Sequence, residues 1–451
     1  MNGLTLFASG GIGDLALRQV GVDVLVANEL LHERAEVFKY NFPECEMIVG
    51  DIWALQNKII ATVEQKLNGA SLDFLLATPP CQGMSKNGRG KLLSLIRQGI
   101  RPELDQRNQL IIPTVNIIKA LRPKVVVLEN VPEMKDTFIS VDDKLLNIID
   151  FVKSNLQPLG YVGGAEVVEF ADYGVPQRRQ RLITIFSRDE KMIEYYQRFF
   201  SFIPKPTHKQ VPINGYKPWV TLRDAISKTP PLDAINSARA ASSIPYHYVP
   251  VFDAVKYFWV SNTPPEQGAF DNQCVKCDHQ SNSTHKSTKD INGINRANEN
   301  TPIRCSQCNE LLPRPWVIHD GEYRIMKGYT SAYRRMKWDY PANALTTNLS
   351  YACSDSKIHP EQNRVLSLYE AFIVHTVDQY TYHWARQDGK KVSDKLIREI
   401  IGESIPPKGL EYILKYVADL YKGKTKAYTP INNQMRLFQE KENIHSLSDA
   451  L

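Results

Sequence analysis

Short apolar segments alternate with amphipathic ones through the first 190 residues, and this rhythm limits the fold more than any other feature. Strand candidates are Leu4–Ala8, Val22–Asn28, Met47–Asp51, Leu72–Ala77, Lys124–Glu129, Glu166–Phe170 and Arg181–Ser187. Helical spacing covers Asp14–Val20, His32–Tyr40, Ala54–Leu67, Arg107–Leu121 and Asp143–Leu156. Helices between strands carry the chain back across the sheet, so those strands lie parallel with helices packed on the faces. Only the last two strands are joined by a short segment, 171–180. They form a hairpin, and one strand runs antiparallel to the rest. The expected class is α/β, a doubly wound sheet.

From about residue 191 to 345 the rhythm stops, and Pro, Asn, Lys and Tyr dominate. This reads as a smaller, irregular domain. Helical periodicity returns around Leu366–His375 and Leu410–Tyr421, so residues 346–421 rejoin the first core and 422–451 form a polar tail. No run of about 18 apolar residues appears, which excludes a membrane-spanning helix. The N-terminus lacks a basic segment followed by an apolar one, so a cytoplasmic protein is expected. A net charge of +6 permits a polyanionic partner without demanding one. Four of the seven cysteines form two pairs, Cys274-x-x-Cys277 and Cys305-x-x-Cys308. Two such pairs make a tetrahedral thiolate site for structural Zn2+, with no ligand position open for chemistry. The alternative is four free thiols. His279 and His285 are spare donors.

The strand ends carry the candidate chemistry. After the first strand comes Gly11-x-Gly13-x-x-Ala16, a turn into a helix where the backbone can approach a ligand. Glu29 ends the second strand, where a carboxylate accepts from ribose hydroxyls, and Asp51 ends the third, within reach of an adenine amino group. These features do not separate NAD from S-adenosylmethionine, since both present an adenosine. The fourth strand runs into Pro79-Pro80-Cys81-Gln82, whose prolines hold Cys81 at a fixed place beyond the sheet edge. The fifth delivers Glu129-Asn130-Val131 to the same edge. Partly buried there, Glu129 would hold a proton near neutral pH. Gln177-x-Arg179-x-Arg181 follows a Gly-x-Pro turn on the hairpin, so some of its guanidinium groups point inward.

Taken in order, Phe7 with Gly11-x-Gly13, Glu29, Asp51, Pro79-Pro80-Cys81-Gln82, Glu129-Asn130-Val131 and Gln177-x-Arg179-x-Arg181 resemble the motifs of cytosine-5 DNA methyltransferases of the prokaryotic or phage restriction-modification type. Asn363-Arg364-Val365-Leu366-Ser367 with Glu370, and Gly402-Glu403-Ser404-Ile405-Pro406-Pro407, resemble that family's last two motifs. Two positions depart from the pattern. Asp14 stands where a second glycine is usual, and Glu403 where an asparagine is.

The resemblance implies a Rossmann-like methyltransferase sheet that binds S-adenosylmethionine, with Phe7, Gly11, Gly13, Glu29, Asp51, Ile52, Pro80 and Ser404 around the cofactor. It implies Cys81 as nucleophile, Gln82 and Asn130 beside it, Glu129 on ring nitrogen 3, and Arg179 on the carbonyl oxygen of a flipped-out cytosine. Residues 84–101 would close over double-stranded DNA, with Ser85, Lys86 and Arg89 joining Arg179 and Arg181 in contact. Arg324, Arg334 and Arg335 lie in a stretch of interleaved aromatics and cations that suits phosphates and base edges, or equally a seam between domains. The expected protein is a monomer acting on its own, with a cognate endonuclease as a separate partner. Two rivals are a tRNA cytosine-5 methyltransferase, which has little room for so large an insert, and a catalytically silent DNA-binding regulator of the same fold.

Overall fold

The computed structural model describes residues 1–424 except 81–105, 143, 213–214, 286, 290–294, 298–299 and 327–330. Its centre is a seven-stranded sheet. In chain order the strands are β1 (Asn2–Leu6), β2 (Asp23–Glu29), β3 (Glu46–Val49), β4 (Phe74–Ala77), β5 (Val125–Asn130), β6 (Val162–Glu169) and β7 (Gln180–Ser187). Their order across the sheet is β3-β2-β1-β4-β5-β7-β6. The first five pair in parallel, and β7 runs antiparallel to both β5 and β6. The chain leaves β1 toward β2 on one side, while β4 leads toward β5 on the other. The gap above β1 and β4 is therefore a topological switch point, the place where open α/β sheets bind ligands.

Helices α1 (Ile12–Gln19), α2 (His32–Asn41), α3 (Ile52–Leu67), α4 (Ile111–Leu121), α5 (Ile148–Leu156) and α6 (Glu190–Phe199) come from the first 200 residues. Then follow α7 (Leu222–Ile226), α8 (Ala254–Ser261), α9 (Leu368–Val374), α10 (Asp394–Glu403) and α11 (Pro407–Tyr421). Side chains alternate through the sheet. Leu75 and Ala77 of β4 pack with α3, α4 and α5 on one face, whereas Phe74 and Leu76 pack with α1 and α11 on the other. Both faces are covered, which is why β4 and β5 are buried along their whole length. The late helix α11 inserts Leu410, Ile413 and Leu414 beside Ala16 and Leu17 of α1, so the C-terminal segment completes the first core.

Several boundaries differ from the expectation. The predicted helix from 143 begins only at Ile148, after a hairpin of Phe138–Val141 and Lys144–Asn147. Asn147 decides this start, because its side chain accepts from the backbone N–H groups of Ile149 and Asp150. Helices α6, α8 and α10 had no counterpart in the sequence reading; each opens on a capping Asp or Ser, at Asp189, Asp253 and Ser393.

A second core gathers Leu232, Val249, Phe252, Trp259, Phe270 and Tyr333 with Ile358 and Val365. Leu222, Ile226, Met336 and Leu345 instead pack with α9 and α10 against the large core. Among the described residues no helix is long and apolar enough to cross a membrane.

The two cores meet near a fully buried ion pair. Arg364 Nη1 and Nη2 reach the two Glu370 oxygens at 2.6 and 2.8 Å. Glu370 also accepts from the Ser367 N–H and from the Thr229 hydroxyl. Burial, the largest single influence, pushes its carboxyl up, yet Arg364 and the Ser367 N–H outweigh it and hold the value at about 2. Deleting one partner would strand the other charge, so Glu370→Ala is expected to cost about 3–5 kcal/mol in denaturant unfolding. Because the folded value lies below the ordinary 4.5, this stabilisation is present above that pH and lost as pH falls toward about 2. The difference between wild type and variant should therefore shrink on acidification; a difference that stays constant down to about pH 3 would contradict this assignment.

Candidate active site

A cavity of about 370 Å³ opens at the switch point, within the usual size range for small-molecule sites. Phe7, Gly13, Glu29, Asp51, Ile52, Pro80 and Ser404 all line it, together with Asp14, Thr78, Pro79, Glu129, Asn130 and Arg181. Gly11 does not; it shapes the turn. Its φ is +84°, and a Cβ there would stand 2.5 Å from the Phe42 ring. At Gly13 a Cβ would make only ordinary contact with Leu76, so packing alone does not require glycine there.

The acids at the strand ends are held differently. Glu29 is nearly buried and accepts from the backbone N–H groups of Ser9 (2.8 Å) and Leu31 (2.9 Å), tying the β1 turn to the end of β2. Asp51 lies past the end of β3 and caps α3, accepting from the Trp53 N–H at 3.0 Å. Across the cavity, the Asn130 side chain donates to the Pro79 carbonyl at 3.0 Å and accepts from the Val131 N–H, so β5 braces the Pro79-Pro80 turn. Cys81, Gln82, Ser85, Lys86 and Arg89 lie outside the described residues; Cys81 follows Pro80 directly in the chain.

Glu129 closes the other end. It is 5% exposed, and Arg181 Nε lies 2.8 Å from its Oε1. The contact is an ion pair rather than an aligned hydrogen bond, which leaves this oxygen without a well-directed donor. Burial pushes the Glu129 carboxyl up, against the pull of Arg181 and then Arg179. Carboxyl group and guanidinium thus sit together at one cavity wall.

Arg179 corrects an expectation. Its side chain is 2% exposed and does not line the cavity formed by the described residues; Nη1 and Nη2 donate to the carbonyls of Leu345 (2.7 Å) and Gly402 (2.8 Å). Within a strand, residues two apart would share one face, but Arg179 falls just before β7 and turns toward the C-terminal segments, leaving Arg181 to face Glu129. Gly402 is glycine because a Cβ would stand 2.2 Å from the Thr347 nitrogen. Ser404 is reached from behind by His375 Nε2 at 2.9 Å, while His375 Nδ1 meets Gln177 at 3.2 Å. Burial keeps His375 well below the usual imidazole range, hence neutral. No sequence spacing pointed to His375, nor to the Arg34–Glu403 pair (2.7 Å) at the cavity wall.

The DNA candidates of the small domain separate too. Arg335 is 3% exposed and donates to the carbonyls of Val260, Thr263, His359 and Gln362 and to the Asn363 side chain, so it is a core brace and not a surface contact. Arg334 is half-exposed and leans on Asp271. Arg324 is exposed on the hairpin Trp316–His319/Glu322–Ile325. The four cysteines converge: Cys274, Cys277, Cys305 and Cys308 have all Sγ atoms within 4.8 Å of one another. Three of the separations are 3.5, 3.6 and 3.7 Å. A tetrahedron with Zn–S bonds of about 2.3 Å has edges of about 3.8 Å, so the set fits the ion. His279 and His285 are not in the cluster.

Fold and cavity are together those of an α/β protein with a ligand-sized cavity at the switch point and a buried acid at one end of it. The chain belongs to the C-5 cytosine-specific DNA methylases, whose family it matches over residues 1–419. It is an S-adenosylmethionine-dependent DNA (cytosine-5) methyltransferase. It is similar to the Type II methyltransferase M1.HgaI of Avibacterium volantium, 29% identical over 423 residues, covering 92% of this chain and 97% of that one. Similarity to M.HhaI of Haemophilus parahaemolyticus is 32% over 203 residues, 45% of this chain and 52% of that one. In structure it resembles the S. pombe Dnmt2 methyltransferase, at 12% identity, TM-score 0.50, and coverage of 94% and 98%.

The two arginines should separate by experiment. Arg179→Met leaves two buried carbonyls without donors and is expected to cost about 2–4 kcal/mol of stability. Arg181→Met should change stability by less than about 1 kcal/mol, because Glu129 can protonate, but should cut turnover severely. The reverse pattern in paired unfolding and methylation assays would exchange their roles.

Proposed function

We propose that the chain methylates a flipped-out cytosine within a specific duplex sequence through a covalent adduct at Cys81. The observation that carries this reading is the buried Glu129–Arg181 pair facing the Pro79-Pro80 turn that leads into Cys81. A thiolate adding at ring carbon 6 turns carbon 5 into an enamine carbon, which cytosine otherwise lacks. Glu129, whose carboxyl burial pushes up, would give a proton or a hydrogen bond to ring nitrogen 3 and draw charge away from carbon 6. Arg181 would face the carbonyl oxygen, and Asn130 would hold the Pro79-Pro80 turn in place. Bound S-adenosylmethionine supplies an electrophilic methyl group, with Glu29 and Asp51 placed for its ribose and adenine and Phe7, Gly13, Ile52, Pro80 and Ser404 around it. Loss of the carbon 5 proton to a base then expels Cys81.

Double-stranded DNA is the substrate in this reading, and Arg324 and Arg334 are its contacts in the small domain, beside Ser85, Lys86 and Arg89 of the segment after Cys81. The similarity to Type II methyltransferases supports a restriction-modification role with a separate cognate endonuclease. A monomer in the cytoplasm, at the nucleoid, suits an enzyme whose substrate is genomic DNA. The cysteine cluster holds one structural zinc, and Arg314 supports it by bridging the carbonyls of Asn272, Ser283 and Pro302 around the two knuckles.

Cys81→Ala is expected to abolish methyl transfer while DNA binding stays within a few-fold of wild type. A duplex with 5-fluorocytosine at the target should trap an adduct stable to denaturing electrophoresis, because no proton can leave carbon 5. Normal transfer of labelled methyl groups by Cys81→Ala would end the mechanism.

Elemental analysis of freshly purified, reduced protein should find one zinc per chain. Metal binding at such sites is worth on the order of ten kcal/mol of local folding free energy. A strong chelator should therefore expose residues near 272–314 to proteases and weaken sequence-specific DNA binding first, with cofactor binding intact. Protein purified without metal, or chelation that removes cofactor binding alone, would count against this division.

A further inference from the structure

Asp14 is a buried acid in the wall of the cofactor cavity, and among the described residues no cation forms an ion pair with it. It is 1% exposed and lines the cavity from the first turn of α1. One carboxylate oxygen accepts from the Thr5 hydroxyl at 2.6 Å. The charge that acts on it is Arg18, but that guanidinium is committed elsewhere: its Nη atoms donate to the carbonyls of Asn41 (3.2 Å) and Thr381 (3.0 Å), and it lies 4.7 Å over the Phe42 ring. A buried carboxylate without a counter-ion is costly and stays ionised only if something supplies the positive charge.

Position says what supplies it. Across the sheet, Asp51 stands after β3, Glu29 ends β2, Asp14 stands above β1, and Pro79 and Glu129 end β4 and β5. With the adenosine over β3 and β2 and the target base over β4 and β5, the part of the cofactor between them is its methionyl portion. That portion carries an α-ammonium group. Resting on the cofactor reading above, we infer that the Asp14 carboxylate, aimed by Thr5, is the counter-ion of the cofactor's α-ammonium group and selects cofactors that carry the amino acid.

The electrostatics agree. Burial lifts the Asp14 carboxyl to about 7, against the Thr5 hydrogen bond, its own backbone N–H and Arg18. The other titratable groups that feel it are Tyr382 and Cys45, both of which burial keeps neutral at ordinary pH. An ammonium ion favours the carboxylate, so the acid should release a proton on binding near neutral pH, and affinity should fall as pH drops below about 7.

The test is calorimetry on the full chain with three ligands: S-adenosylmethionine, S-adenosylhomocysteine and methylthioadenosine, which lacks the amino acid. Asp14→Asn preserves shape and the Thr5 contact. It should weaken the first two roughly tenfold to a hundredfold and leave methylthioadenosine unchanged. The proton release seen in wild type, read from buffers of different ionisation enthalpy, should vanish. Should Asp14→Asn fail to fold, Thr5→Val, which removes only the aiming hydroxyl, is expected to show the same selective loss at a few-fold. Equal loss for all three ligands, or no loss for any, would overturn the inference. Loss confined to S-adenosylmethionine would overturn the ammonium assignment in favour of the sulfonium. Wild-type protein that binds none of the three would instead sink the cofactor reading itself.

Discussion

Everything at the site depends on the point where β1 and β4 lie side by side and their chains depart in opposite directions. Two loops must open there, since neither can cross the other, and the opening is the cavity. Glu29 holds one lip by accepting from Ser9 and Leu31, and Asn130 holds the other through the Pro79 carbonyl. Both braces come from neighbouring strands, so the rigidity of the sheet is transmitted to the loops that carry the chemistry. Preorganisation of this kind fixes the Pro79-Pro80 turn and the buried acid Glu129 relative to each other.

Buried arginines do the corresponding work between segments. Arg179, Arg314 and Arg335 are each nearly inaccessible, and each gathers backbone carbonyls from segments distant in sequence. A planar guanidinium with five donors can satisfy several carbonyls at once, which suits segments with too little regular structure to pair their own backbone. Burial lowers Arg314 and Arg335 to about 10, still protonated at neutral pH. The segment around residues 260–363 thus adds buried guanidinium braces and a cysteine cluster to its own apolar core.

The legibility of the site followed the same division. Glu29, Glu129 and the Pro79-Pro80 turn could be read because each ends an apolar strand, and where such a strand is buried on both faces a short continuous apolar run announces it and its end. The two Cys-x-x-Cys pairs could be read because metal spacing is local. Arg179 and Arg181 could not be told apart, since both are arginines beside one hairpin and only the packing of residues 345 and 402 claims the first. Arg335 looked like a surface cation for the same reason: its five partners lie between residues 260 and 363, and no short window contains them. The Asn147 cap was a local signal overlooked, and it moved a helix start by several residues.

The sequence by itself determined the parallel sheet, the acids and the Pro-Pro turn at its edge, and the four-cysteine cluster, because periodicity and short spacing encode what neighbouring residues must do. Only the tertiary structure decided which arginine faces Glu129, that α11 closes the core against α1, and that among the described residues Asp14 forms no ion pair. Those outcomes turn on which distant groups fill the space around a buried charge. Desolvation makes such a charge depend on every partner within a few ångströms, whatever their separation along the chain.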